Sequence, residues 1–200
     1  MHAMSINQKR RLVLTGLGIL PLMLAGCSKE KPLVVHGQDI TGANFGRDFN
    51  LQGPNGKRYT LNDFKGKALM IFFGFTQCPD VCPTALARAV EIKGLLGEDA
   101  DKLQVLFITI DPERDTPEML EAYTNAFDPS FMGLYGTLDE TQAVAKEFKI
   151  YYKKVPTGSS YTMDHSALSY VFDTDGKLRL SLSHAQSAQE CAEDIRQLLA

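Results

Sequence analysis

The 200-residue chain is poor in cysteine, with only Cys27, Cys78, Cys82 and Cys191. Beside Cys78 and Cys82 there is no second pair, so a structural zinc site with four protein ligands is not supplied. There is no internal repeat and no low-complexity run. No apolar stretch reaches the roughly 20 residues that a membrane-spanning helix needs. Positive charge is also lacking: the formal net charge is −3, and it falls to about −6 without the basic residues of the N-terminal leader. Such a surface argues against nucleic acid as the partner. What is present, 44% hydrophobic residues and 22% charged ones, fits one domain large enough to bury its own core without disulfide staples. A close cysteine pair must therefore be explained by chemistry or by compartment.

The leader supplies the compartment. Lys9, Arg10 and Arg11 form a basic segment, LVLTGLGILPLML is an apolar segment of signal-peptide length, and Leu24-Ala25-Gly26-Cys27 follows. That order matches a bacterial lipoprotein signal peptide over residues 1–26, with Cys27 as the lipidated first residue of the mature chain. The expected location is the bacterial cell envelope, facing the periplasm or otherwise extracytoplasmic, with a lipid anchor in the membrane. Residues 27–43 mix charge, proline and glycine with little periodicity, and read as the lipidated N-terminus and a flexible tether. An exported domain is in an oxidising setting, where a close thiol pair becomes a disulfide unless a reductant or a metal holds it.

The domain is expected over residues 44–200. FGRDFNLQ, the turn Gly53-Pro54-Asn55-Gly56 and KRYTLNDF read as a hairpin. ALMIFFGF and LQVLFITID are continuous apolar runs suited to strands buried on both faces. A helix is expected from Pro83 to about Leu96, with Leu86, Val90, Ile92 and Leu95 on its apolar side. TPEMLEAYTNAF is a helix capped by Thr116 with Pro117 at its first position. A short strand FMGLYG, a helix TLDETQAVAKEF, a hairpin ALSYVFDTDGKLRLSL and a last helix complete the order. Strands alternating with helices predict an α/β fold: a thioredoxin-like mixed sheet flanked by helices, with an added N-terminal β-hairpin.

Residues 74–84 read GFTQCPDVCPT. Proline disfavours helical backbone in the residue before it, so Cys82 is expected to cap the helix that starts at Pro83, with Cys78 in the preceding loop. Both thiols then sit where a buried strand ends and a helix begins, a setting that favours thiolate. With three intervening residues the pair can serve as a redox couple, a soft-metal clamp or a disulfide. A three-coordinate soft site needs one further donor. His36 in the tether and His184 at a strand end read as solvated. His165 leads into a strand that the fold order sets beside ALMIFF, although a histidine there, taken alone, reads more readily as a hydrogen-bonded structural residue than as a ligand. Cys191 lies on the apolar face of the last helix and reads as a small buried hydrophobe. Asp111, Pro112, Glu113 and Arg114 read as a turn.

GFTQCPDVCPT, ITIDPERDTPE and YTMDHSALSYVF, in that order and at those separations, resemble the signatures of the Sco/SenC family of copper-binding, thioredoxin-like proteins. The resemblance implies that Cys78, Cys82 and His165 bind copper, as Cu(I) or Cu(II). It also implies a metallochaperone that assists assembly of the binuclear copper site in subunit II of cytochrome c oxidase. The alternative within the same resemblance is a thiol-disulfide reductase that keeps the acceptor's cysteines reduced. Cys78 and Cys82 would then be a catalytic redox pair reset by a thiol reductant. A peroxiredoxin-like peroxidase is a third reading. It lacks the hydroxyl residue three positions before its cysteine, since those positions are Phe75 and Pro79. Thioredoxin itself has a proline facing its cysteines, where this chain has Met163-Asp164-His165, a difference that suits metal binding better than general disulfide exchange.

Overall fold

The computed structural model describes residues 33–199. The signal segment and Cys27, the expected lipidation site, lie outside the described residues. In chain order the elements are β1 (Gln38–Asp39), β2 (Leu51–Gln52), β3 (Arg58–Tyr59), β4 (Ala68–Gly74), α1 (Val81–Leu96), β5 (Leu103–Thr109), α2 (Pro117–Asn125), β6 (Met132–Leu134), α3 (Leu138–Glu147), β7 (Tyr152–Thr157), β8 (Ser160–His165), β9 (Leu168–Phe172), β10 (Leu178–Ser183) and α4 (Ala188–Arg196). Six strands form the central sheet in the order β1-β10-β9-β4-β5-β6. Strands β4, β5 and β6 are parallel, whereas β9 joins β4 antiparallel and β10 joins β9 antiparallel. This is the mixed, helix-flanked, thioredoxin-like sheet that the element order predicts.

Every residue of β4 is buried, as a strand must be when it has a neighbour on each side and covered faces above and below. Its partner β5 is buried at all positions but Gln104. The helices start on local signals. Thr116 Oγ1 accepts from Met119 N, and reciprocal capping boxes join Thr137 to Glu140 and Ser187 to Glu190. Each such cap satisfies N–H groups that the first turn leaves open. The expected N-terminal hairpin is present as β2 and β3, a two-stranded sheet separate from the main one.

The structure departs from the sequence reading in four places. Residues 33–43 are part of the domain rather than a tether: Gln38 and Asp39 pair with Ser181 and Leu180. The buried Asp194 carboxylate accepts from His36 N and Gly37 N at 2.8 Å each. The partner that holds this segment lies more than 150 residues away, so nothing local announces it. Helix α1 begins at Val81, and Cys82 is inside its first turn rather than capping it. First-turn N–H groups have no intrahelical acceptor, so Pro83 loses nothing there. The buried face of α1 runs through Cys82, Ala85, Leu86, Ala89, Ile92 and Leu96, leaving Val90 and Leu95 exposed. Finally, β7 and β8 form an unforeseen hairpin outside the main sheet; His165 ends β8 and, as expected, leads into the strand beside β4, which is β9.

Candidate metal centre

Strand β4 ends at Gly74, and loop 75–80 carries Cys78 out of the sheet before α1 turns Cys82 back beneath it. Cys82 is fully buried, Cys78 half-buried and His165 half-buried. The sulfur atoms of both cysteines and a ring nitrogen of His165 all lie within 4.8 Å of one another. Cys82 Sγ is 3.7 Å from His165 Nε2. Among the described residues no other set of His, Cys, Asp or Glu side chains converges in this way. His36 is instead paired at the surface with Glu193 at 3.0 Å. Cys191 is fully buried in α4, and burial pushes its thiol up to about 11, which keeps it protonated.

The imidazole is fixed in orientation. Its Nδ1 is 3.0 Å from the Ser166 carbonyl, which can only accept, so Nδ1 carries the hydrogen. The ring then turns Nε2 toward the sulfurs, the arrangement a ligating histidine requires. Phe72 and Phe75 stand edge-on to the ring, at centroid distances of 6.1 and 5.9 Å, and wall it with apolar surface.

The two thiols are not equivalent. The S–H of Cys82, followed by His165 and the backbone N–H groups of Asp80 and Cys82, outweighs burial and holds Cys78 down to about 4. Cys82 is pushed up, first by that same bond to the Cys78 thiolate and then by burial. The metal-free centre is thus a half-exposed thiolate beside a buried thiol. Asp80 occupies the helix cap position without a side-chain hydrogen bond, and its carbonyl accepts from Thr84. Met163 is buried in the row of side chains that it shares with His165.

The turn after β5, read from sequence as plain connection, contributes more than that. Asp111 and Asp115 are both buried. The Asp115 carboxylate accepts from Thr76 N, from Thr76 Oγ1 at 2.6 Å and from Thr109 Oγ1 at 2.6 Å. It thereby ties the cysteine loop to the end of β5. The signal in the sequence is two aspartates within six residues of the end of a buried strand, at the edge of the sheet where ligand sites form.

Two soft sulfurs and one imidazole suit Cu(I), and the same set can hold Cu(II). Fold and donor set together define a thioredoxin-like domain with a two-thiol, one-imidazole centre at the carboxyl end of its central strands. The SCO1/SenC family model matches residues 37–200, and the chain belongs to that family. It is 40% identical over 190 residues to the SCO2-like protein of Rickettsia felis, covering 92% of each chain. Among solved structures it resembles Bradyrhizobium japonicum ScoI with copper bound, at 44% identity and a TM-score of 0.71, covering 78% of this chain and 100% of that one. It also resembles Arabidopsis thaliana ScoI with copper bound, at 31% identity and a TM-score of 0.72, covering 78% and 99%.

Proposed function

We propose that this chain is a lipid-anchored copper chaperone of the bacterial envelope, which carries copper as cargo on Cys78, Cys82 and His165. Its acceptor, on this reading, is the binuclear copper site of cytochrome c oxidase subunit II. The observation that carries the reading is the convergence of three soft donors within 4.8 Å of one another. Cys78 is already ionised, Nε2 of His165 already faces the sulfurs, and a metal cation displaces the Cys82 proton on binding. Release to a tighter acceptor then proceeds by exchange of ligands, with Cys78, the more exposed sulfur, free to be replaced first. The anchor is Cys27, after removal of residues 1–26. Among the described residues no helix is long and apolar enough to cross a membrane.

Anaerobic Cu(I) titration of the reduced domain tests the centre. One equivalent should bind tightly, Cys78→Ser should abolish tight binding, and His165→Ala should weaken it and change the Cu(II) spectrum. Unchanged affinity and spectrum in His165→Ala would contradict the three-donor site. Cys27→Ser should move the protein from the membrane fraction to the soluble one.

A second reading, thiol-disulfide reduction of the acceptor, is favoured by the asymmetry of the pair. A half-exposed thiolate at Cys78 is a competent attacking group, and the buried Cys82 is placed to resolve the mixed disulfide. Offering the reduced, copper-free protein to an oxidised acceptor domain separates the two roles. Loss of the acceptor disulfide without metal present would assign the reductase function, with a thiol reductant needed to reset Cys78 and Cys82.

A further inference from the structure

The donors of the metal centre come from two separate pieces of chain. Cys78 and Cys82 belong to the loop and helix that follow β4, whereas His165 ends the β7–β8 hairpin. That hairpin shares no ladder with the main sheet; backbone register reaches it only through the short connection from His165 to β9, which pairs with β4 at Ser169 and Phe72, and the rest of β8 is held by side chains.

Arg114 spans the gap. Its Nε donates to Asp111 Oδ2 at 2.5 Å. Its Nη1 donates to Gln77 Oε1 at 3.2 Å, on the residue preceding Cys78, and to the Tyr161 carbonyl of β8 at 2.8 Å. The guanidinium carbon lies 3.7 Å from the centroid of the Tyr161 ring, and the Tyr161 hydroxyl donates to Asp111 Oδ1 at 2.8 Å. Asp111 is 1% exposed, so this anchor is fixed in the body of the domain. Tyr161 and His165 project from the same side of β8 with buried Met163 between them, so holding Tyr161 holds the strand that carries the imidazole. The ion pair of Lys154 with Glu113 and the burial of Met163 also secure the hairpin. Only the Arg114 hydrogen bonds described here join the hairpin to the residue beside Cys78.

We propose that Arg114 is a positioning residue of the metal centre: it sets the His165 hairpin in register with the cysteine loop and so determines whether the imidazole joins the two sulfurs. The inference rests on the three-donor reading of the site. A planar guanidinium can bond a carboxylate, an amide and a carbonyl at once, which an ammonium on a single stem cannot reproduce.

The test compares wild type, Arg114→Met and Arg114→Lys, each checked for folding by circular dichroism. Three quantities are measured: Cu(I) affinity by competition, nitrogen splitting in the Cu(II) paramagnetic resonance spectrum, and amide exchange of the metal-free protein. Expected for Arg114→Met are copper retained on the thiols, affinity at least tenfold weaker, loss of the nitrogen splitting as in His165→Ala, and faster exchange in both 76–80 and 161–165. Arg114→Lys should fall between the two and reads the effect if the Met variant does not fold. Wild-type affinity within twofold together with intact nitrogen splitting in a folded variant would overturn the proposal, as would faster exchange in only one of the two segments. Absence of nitrogen splitting in wild type itself would instead remove the three-donor site, and the role of Arg114 with it.

Discussion

Between the two cysteines, burial and hydrogen bonding divide the labour. Cys78 is held to about 4 by the Cys82 S–H, with lesser help from His165 and backbone N–H groups. Its thiolate therefore persists down to mildly acidic pH. An ordinary thiol, at about 8.5, gains reactivity about tenfold per unit between pH 6 and 8. Alkylation of Cys78 in the metal-free, reduced protein should instead be flat across that range and fall only as the pH approaches 4. Mass mapping should find the label on Cys78, with Cys82 and Cys191 protected by burial. A steep rise of Cys78 labelling above pH 7 would contradict the assigned asymmetry. Gly74 is the other residue on which the centre depends. A Cβ there would lie 2.7 Å from the Phe107 ring and 2.8 Å from Cys82 Sγ. Gly74→Ala should overpack the strand end at a cost of about 1–3 kcal/mol in denaturant unfolding, and should shift the Cu(II) spectrum by displacing the sulfur.

At the level of elements, the centre is assembled from ends: the end of β4, the first turn of α1, the turn after β5 and the last residue of β8. Loops and strand ends can vary without breaching the sheet, so the rigid part of the molecule holds the chemistry without supplying it. The N-terminal segment is held in a comparable way. Asp194, fully buried in α4, receives two backbone N–H groups from residues 36 and 37, and Gln197 bonds both Val34 N and Val34 O. Asp194→Ala leaves those donors unpaired and should cost about 2–3 kcal/mol in denaturant unfolding. Amide exchange should rise chiefly over residues 34–40. Exchange that stayed at wild-type rates there would mean that β1 pairing alone holds the segment.

For the whole molecule, the consequence of the site is linkage. A cation that binds only the folded chain stabilises it, by about 2.7 kcal/mol at a hundredfold excess over Kd. For a domain of this size that corresponds to a rise in Tm of about 5–10 °C. Thermal unfolding of the reduced protein with and without Cu(I) should show this rise, and Cys78→Ser should lose it. The effect is a ceiling, because thiols of the unfolded chain also hold Cu(I). The acidic balance of the chain, with 24 Asp and Glu against 21 Lys and Arg, leaves it unsuited to polyanions.

The sequence by itself determined the helices, the main strands of the sheet and their order, though not β1 or the β7–β8 hairpin. Continuous apolar runs, caps at Thr116, Thr137 and Ser187, and proline or glycine at the turns are local signals, and local signals are sufficient to begin and end helices and strands. It also exhibited the three candidate donors, since Cys78 and Cys82 are neighbours in the chain and His165 stands in a distinctive segment. It could not show that Cys82 lies inside a helix, because the pre-proline rule competes there with a first turn that tolerates proline. Nor could it show that residues 33–43 dock on α4, that β7 and β8 stand apart from the main sheet, or that Arg114 touches both ligand segments. The docking of residues 33–43 and the contacts of Arg114 depend on groups 37 to more than 150 residues apart. Only the folding of the main sheet brings such groups together, since no local pattern encodes a contact whose partner is elsewhere in the chain.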